Sequence, residues 1–248
     1  MTSYDPNVAP DPEEFGALDD ILAALRVPAP EFPAAAIRAA ERARGPINER
    51  LIELIETTRG EVLAGREPPD NAHIFAMLLL AEFEEKRAFP AIASLFSLSE
   101  KHIDSIVGDF LTEDLPRVLA SVSSGHIDDL AQIVEDRSRY EYVRSAALSA
   151  VAALVQRGVV TRDDAGNYLR LLICERLERE PSAVWDEVGN IVLDSYLDDL
   201  FEEVRDLIRS GLIPSFALHL SDVDRTLREG RDKVQARFRV ESALAAGA

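Results

Sequence analysis

Three carboxylates fall within six residues in the stretch Gly108-Asp109-Phe110-Leu111-Thr112-Glu113-Asp114, the densest polar constellation of the chain. Asp109, Glu113 and Asp114 have the chemistry to act as acid and base, to hold a cation, or to line a groove that receives a basic peptide. The same residues also read as helix punctuation. Gly108 ends one helix, Thr112 or Asp114 caps the next, Glu113 complements its dipole, and Pro116 suits a first helical turn. Arg87 and Arg144 stand at or just before the starts of helices. Each is read either as a ligand-facing cation or as a buried guanidinium gripping an acidic cap such as Asp136 or Asp109 with both arms. Trp185 and the Tyr140/Tyr142 pair are the aromatic features able to anchor a partner, with core packing as their other reading.

The remaining reactive residue types are sparse. His73, His102, His126 and His219 are scattered singly, without a spaced histidine pair or a cysteine pair, so no zinc site is expected. Cys174 lies in the apolar run LRLLICERL and reads as a small core residue; being single, it excludes an intramolecular disulfide. Phosphate-cradling glycine loops, the dinucleotide glycine pattern and the G-x-S-x-G elbow are all missing from the sequence. No cofactor is therefore expected.

The elements that must position these residues are helices. In Glu141–Gly158 the apolar residues Val143, Ala146, Ala147, Ala150, Val151, Leu154 and Val155 follow one helical face. Leu148, Ala152 and Ala153 add apolar character to the other side, which predicts a helix covered from more than one direction. Upstream, a helix is predicted from Glu13 to Val27, a second after Pro33 up to Gly45, and a third from Ile47 that Gly60 closes. Glu67-Pro68-Pro69-Asp70 is a break, with Asp70 or Asn71 capping the next helix. Phe89, Ile92, Ala93, Leu95 and Phe96 align with Ile127, Leu130, Ala131, Ile133 and Val134, 38 residues on. They align again, less well, with Tyr168, Leu171, Leu172 and Cys174, a further 41 residues on. Those offsets approach the ~40–47-residue period of HEAT-type repeats. Thr161, with Asp164 three residues later, resembles a capping box. A last helix is predicted from Ser221–Asp224 to about Arg239. Its six basic residues against four acidic ones locally reverse the sign of the chain.

That overall sign is strongly negative: 27 Lys plus Arg face 45 Asp plus Glu, a formal charge of −18. Such a surface repels phosphate backbones and anionic lipids, so neither nucleic acid nor membrane is an expected partner. The first residues lack the basic and apolar regions of a signal peptide, and the apolar run from Ile74 to Ala81 is far short of the ~20 residues a membrane span needs. A cytoplasmic location is the expectation.

The segments EEKRAFPAIASLFSLS, GDFLTEDLPRVLASVSSG and EYVRSAALSAVAALVQRG, followed by Trp185, resemble in that order the bacterial family catalogued as domain of unknown function 1186. The resemblance runs from about Pro33 to Leu227. It implies a HEAT-like helical-repeat fold and no established activity. Many members of that family carry a C-terminal SEC-C tail, a short cysteine-rich zinc-binding motif. Nothing after Cys174 is cysteine here, so the tail and its zinc are expected to be missing.

Together these readings predict an all-α, HEAT-like α-α superhelix. One helical-repeat domain would span 13–239 between loose ends at 1–12 and 240–248. The expected role is a non-enzymatic protein–protein interaction module, with Asp109, Glu113, Asp114, Arg87, Arg144 and Trp185 as candidate interaction surface. The alternative is a carboxylate-dependent enzyme or cation-binding protein centred on Asp109, Glu113 and Asp114. A third possibility, a HEAT-like DNA-binding protein, is opposed by the acidic balance.

Overall fold

Apolar residues recurring at helical spacing close into helix after helix in the computed structural model, which describes residues 16–26 and 32–237; no strand forms among them. The fold class is all-α. The expected loose ends, and Phe15 of the first predicted helix, lie outside the described residues. Within the span expected as one domain, packing groups the chain into two compact units, Met1–Gly108 and Asp109–Ala248. No helix among the described residues is long and apolar enough to cross a membrane.

The first unit contains α1 (Leu18–Leu25), α2 (Ala34–Arg42), α3 (Asn48–Leu63), α4 (Ala72–Glu82), α5 (Phe89–Leu95) and α6 (Glu100–Val107). Helix α3 packs on α4 and α5, while α1 packs on α2. Leu51, Ile55, Met77, Leu80, Ile92 and Leu95 are fully buried in this core. Gly60 does not close α3 as predicted. It sits inside the helix, which runs on to Leu63; Gly65, two residues beyond, has a φ of +75° at which a side chain would be strained. The predicted break before α4 is present: the Asp70 carboxylate accepts the Ala72 amide at 3.0 Å. His73 is buried, and its Nε2 donates to the Ile106 carbonyl at 2.7 Å, serving one of the open carbonyls at the end of α6. Burial holds this imidazole below its ordinary pKa, so it is neutral at physiological pH.

The second unit contains α7 (Phe110–Glu113), α8 (Leu115–Val122), α9 (Ile127–Val134), α10 (Glu141–Gln156), α11 (Arg162–Leu171), α12 (Ala183–Asp194), α13 (Phe201–Arg209) and α14 (Leu220–Glu229). Helix α10 is its hub, packed by α8, α9 and α12 and touched by α7 and α11. That explains its near-continuous apolar surface: Val143, Ala147, Leu148 and Ala150 have no exposure at all. On α12, Gly189 lets the following chain approach closely. A β-carbon there would lie 3.0 Å from both Ile213 Cδ1 and Leu218 Cδ2.

Buried residues at a matching spacing lie two residues away from the third copy predicted. Ile92, Leu95 and Phe96 correspond to Leu130, Ile133 and Val134, and then to Leu169, Leu172 and Ile173, all buried. In that third copy Leu171 and Cys174 are exposed, against expectation. Leu169, Leu172 and Ile173 keep the ordinary helical spacing of the first two copies, which leaves Leu171 and Cys174 off the buried face; after α11 the chain widens into a π-helical turn over Leu172–Arg176. Cys174 is accordingly a surface residue and not a core residue.

Arginine supplies much of the stapling between helices; lysine appears only as Lys86, Lys101 and Lys233. Arg44 donates to Phe83 O (2.6 Å), Arg59 to Ser94 O (3.0 Å), Arg144 to Val134 O (2.8 Å) and Arg162 to Ser195 O (3.0 Å). Each acceptor lies in the last turn or cap of a neighbouring helix, where carbonyls lack intrahelical partners and the dipole favours a cation. The basic stretch after Ser221 is likewise absorbed. Arg225 pairs with Asp222, Arg231 with Asp198, and Arg237 with Glu229. Helix α14 itself stops at Gly230 and the chain turns helical again over 231–237, so one predicted helix is two.

Thr161 caps α11 as predicted, its hydroxyl oxygen accepting the Asp164 amide at 3.1 Å. The reciprocal half of the box is replaced: the Asp164 carboxylate takes the Thr161 hydroxyl proton at 2.6 Å. Thr161→Ala is expected to lower stability by about 1 kcal/mol, within the usual range for loss of such a cap, and Thr161→Asp to restore most of it. Chemical denaturation of the two variants checks this, and an unchanged midpoint for the alanine variant would contradict it.

Candidate functional site

The carboxylates with which the sequence reading began do not converge. Asp109 and Glu113 are exposed, and Asp114 is bridged to Arg117 at 2.6 Å. Among the described residues no group of three or more His, Cys, Asp or Glu side chains is arranged to hold a metal ion. Gly108 does end α6 and Pro116 does stand in the first turn of α8, but the side-chain caps are missing. The backbones of Asp109 and Asp114 are themselves helical, and neither side chain caps. Helix α7 runs almost directly into α8, so Asp114 N and Val118 N already find Phe110 O and Asp114 O. With those donors satisfied, Thr112 instead donates its hydroxyl to Asp109 O at 3.3 Å.

Of the remaining candidates, Arg87 is exposed in the turn before α5. It pairs with Glu85, which also receives the Asn48 amide at 2.6 Å. These contacts hold the Glu85 carboxyl down at about 2, the Arg87 hydrogen bond contributing most. Arg144 is the buried bidentate guanidinium foreseen, with a different acid in its grip. It holds Glu178 with both arms and Val134 O with Nε, and neither Asp136 nor Asp109 is its partner. Asp136 serves Ser138 and Arg139. Trp185 has no exposure, and its Nε1 donates to Glu178 O at 3.0 Å beneath the Arg179 guanidinium. Arg144, Glu178 and Trp185 thus form one buried joint between α9, α10 and α12. Tyr140 and Tyr142 meet edge to face at 5.3 Å, Tyr142 being partly exposed.

A different group of polar residues lies together along the same α10–α12 contact. Glu141, Ser145 and Ser149 follow one another at a spacing of four on α10, and Asp186, Asn190 and Asp194 do so on α12, so each set lines one helical stripe. Glu141 accepts the Ala183 amide at 2.6 Å, which caps α12 from the neighbouring helix where Ser182 makes no side-chain cap. One α10 turn further along than Ser145, the Ser149 hydroxyl donates to Glu187 at 2.6 Å. Beyond this bridge the helices part into a cleft of about 220 Å³. Ser149, Ala152, Ala153 and Gln156 form its α10 wall, and Glu187, Asn190, Ile191 and Asp194 its α12 wall. A larger hollow of about 370 Å³ in the first unit borders the start of the described residues, and Arg42 is the one ionisable residue among those lining it. It offers no comparable chemistry.

The electrostatics of the cleft set it apart. Burial pushes the Glu187 carboxyl above its ordinary value, offset in part by hydrogen bonds from Ser149 and Asn190 and reinforced by Asp194 and Asp186. Burial also raises Asp186, with Glu141 adding repulsion. One oxygen of Asp186, Oδ1, is buried and meets no hydrogen-bond donor. Elsewhere in the unit Glu178, Asp199 and Asp136 are held low, and each has an arginine against it. Among the described residues neither Asp186 nor Glu187 meets a cation. The apolar face of α10 says nothing of this group. The spacing of four in Glu141-Ser145-Ser149 was the available signal.

A family model described as Protein of unknown function (DUF1186) matches residues 17–244. Proteins printed as "Uncharacterized protein" from Chlamydia trachomatis serovar D and Chlamydia muridarum are 37% identical over 162 residues and 35% identical over 159 residues. The first match covers 64% of this chain and 63% of the relative, and the second covers 64% of each. The chain therefore spans a little under two thirds of these relatives' length. No solved structure matches it. The chain belongs to the family described as Protein of unknown function (DUF1186).

Proposed function

We propose that this chain works as a protein-interaction module, a short HEAT-like helical array in the cytoplasm whose α10–α12 face receives another protein. The observation that carries this reading is the cleft beside Glu187. Small side chains line part of it, and its half-buried carboxyl meets no cation among the described residues. An interface needs such a recess to desolvate an incoming side chain, and the small residues leave room for one. The volume supports a side chain over a cofactor, since sites for drug-sized ligands start near 300 Å³.

Catalysis is the second reading, because Ser149 and Glu187 lie at the distance of a nucleophile and its base. Such a pair also needs donors aimed at a developing charge. The side-chain amides lining the cleft, Gln156 and Asn190, are the available ones, and acidic Asp194 stands beside them. Binding is the reading this balance favours.

A photo-crosslinking amino acid in place of Gln156, at the mouth of the cleft, is expected to give a discrete covalent adduct with one protein on irradiation in the native cell. The same group at exposed Asp206 on α13 is the control. Equal adducts at both positions, or none at Gln156, would overturn the reading.

A further inference from the structure

His73, in the first turn of α4, is a buried titratable side chain that the α10–α12 face does not use. We propose that His73 is a pH-sensitive latch on the last turn of α6, which its neutral ring pins and its protonated ring releases. The contact it makes is long-range. The residue is 2% exposed, and its Nε2–H donates at 2.7 Å to Ile106 O, 33 residues on. That carbonyl belongs to the last turn of α6, where carbonyls lack intrahelical donors. One residue past α6 stands Gly108, the end of the first unit. Its φ is +49°, and a β-carbon there would meet nothing within 4 Å. The chain just past the pinned turn therefore has both the room and the backbone freedom to move.

A neutral imidazole has one N–H, and here Ile106 O takes it, so the ring fits its pocket without charge. An imidazolium would find the Asp70 carbonyl as a second acceptor and the Asp70 carboxylate as an attracting charge. Burial outweighs both and holds the ring below its ordinary value. Once charged, the ring is better served by water than by its pocket, and the helix end it pins is the segment that opens. Asp70 is the one charge acting on the ring, and it is itself engaged, by the Ala72 amide at 3.0 Å and Arg26 at 3.2 Å. On α6, Lys101 and Asp104 are exposed, and His102 meets the Ser99 hydroxyl at 3.0 Å. The ionisable residues of α1 and α2 are exposed, and α5 has none. On α3, the half-buried Arg59 and Glu61 are held by Ser94 O and Arg66. The folded value of His73 lies below its unfolded one. The stability it lends is therefore complete above about pH 6.5 and is lost as the pH falls through the folded value.

The test follows amide hydrogen exchange of the full chain by NMR at pH 7.5 and pH 5.5, corrected for the intrinsic pH dependence of exchange. The histidine ring signals are titrated over the same range. The expected result is that opening at the Ile106 and Val107 amides rises about tenfold between the two. That is the rise produced when one ring with an ordinary value near 6.5 gains its proton in the open state alone. The amides of Leu51 and Ile55 on α3 should not change. His73→Gln keeps a side-chain N–H for Ile106 O but has no titrating group, and should show no rise. His102→Gln, which removes the other ring near this helix end, should keep it. In the parent, the His73 ring should titrate below about pH 6.5, in step with the change at Ile106; this comparison carries the test if His73→Gln does not fold. Equal loss of protection on α3 would overturn the inference. So would a rise that survives His73→Gln or vanishes in His102→Gln, or a His73 ring that titrates while Ile106 and Val107 stay protected.

Discussion

Ala147→Glu is expected to leave the second unit unfolded at physiological temperature. Ala147 has no exposure and sits in the middle of α10, which α8, α9 and α12 enclose. A glutamate there meets two penalties at once. Its extra atoms have no space between close-packed helices, where overfilling alone costs about 1–3 kcal/mol. Its charge loses water without gaining a partner, an effective penalty of several kcal/mol more. A domain is stable by only about 5–15 kcal/mol, so the sum is comparable to the whole. Asn167→Glu, on the exposed face of α11 in the same unit, is the control and should melt within about 0.5 kcal/mol of the parent. A soluble Ala147→Glu protein with an unchanged, cooperative midpoint would show that α10 is not enclosed.

Removing the guanidinium of Arg144 has the next largest expected effect. Arg144→Met keeps much of the aliphatic stem but strips Val134 O of its donor and leaves Glu178 without the arms that hold it. Breaking a buried pair in this way costs about 3–5 kcal/mol, most of it from stranding the other charge. The remaining Arg137, 3.5 Å from Glu178 and largely exposed, recovers little of that. Arg144→Met with Glu178→Gln should therefore be more stable than Arg144→Met alone, and a double-mutant cycle by denaturation reads the coupling. If the double variant falls further, Arg144 acts through packing and not through Glu178. The pair also has a pH signature. Arg144 holds the Glu178 carboxyl below its ordinary value, so its contribution is present above about pH 4.5 and is lost as the pH falls.

These two residues show what was legible beforehand. The apolar spacing of α10 was enough to place Ala147 in a core, because a helix apolar on most sides must be covered on most sides. The residue type and position of Arg144 pointed to a buried bidentate grip. Its acid could not be read, because Glu178 lies 34 residues on and is delivered by a π-helical turn that no periodicity announces. Counted two residues late, the third copy of the repeat took exposed Leu171 and Cys174 for buried Leu169 and Leu172. At Asp109, Thr112 and Asp114 the residue preferences were those of a cap. The chain spends them otherwise: Thr112 turns its hydroxyl back to Asp109 O and Asp114 pairs with Arg117. The cleft was hidden for another reason. Polar residues on two helices acquire meaning only when the helices face each other, and sequence spacing describes one helix at a time.

The claim that Glu187 is kept for binding and not for the fold has a direct thermodynamic test. Its carboxyl is raised in the folded state, so the folded chain holds this proton more tightly than the unfolded one. The group therefore contributes stability below about pH 4.5, its ordinary value, and that contribution is lost as the pH rises through the folded value. Above its folded value the carboxylate carries a desolvation penalty that Gln lacks, while Gln still accepts the Ser149 hydrogen bond. Comparing Glu187→Gln with the parent cancels the opposite trend from His73, which is common to both. The measurement is the difference in melting midpoint between the two proteins from pH 4 to pH 8. The account predicts a Glu187→Gln variant that melts higher than the parent at pH 8, with the gap closing toward pH 4. A variant that melts lower than the parent at pH 8 would mean that the charge of Glu187 holds the fold together, and the cleft would lose its claim to be a site.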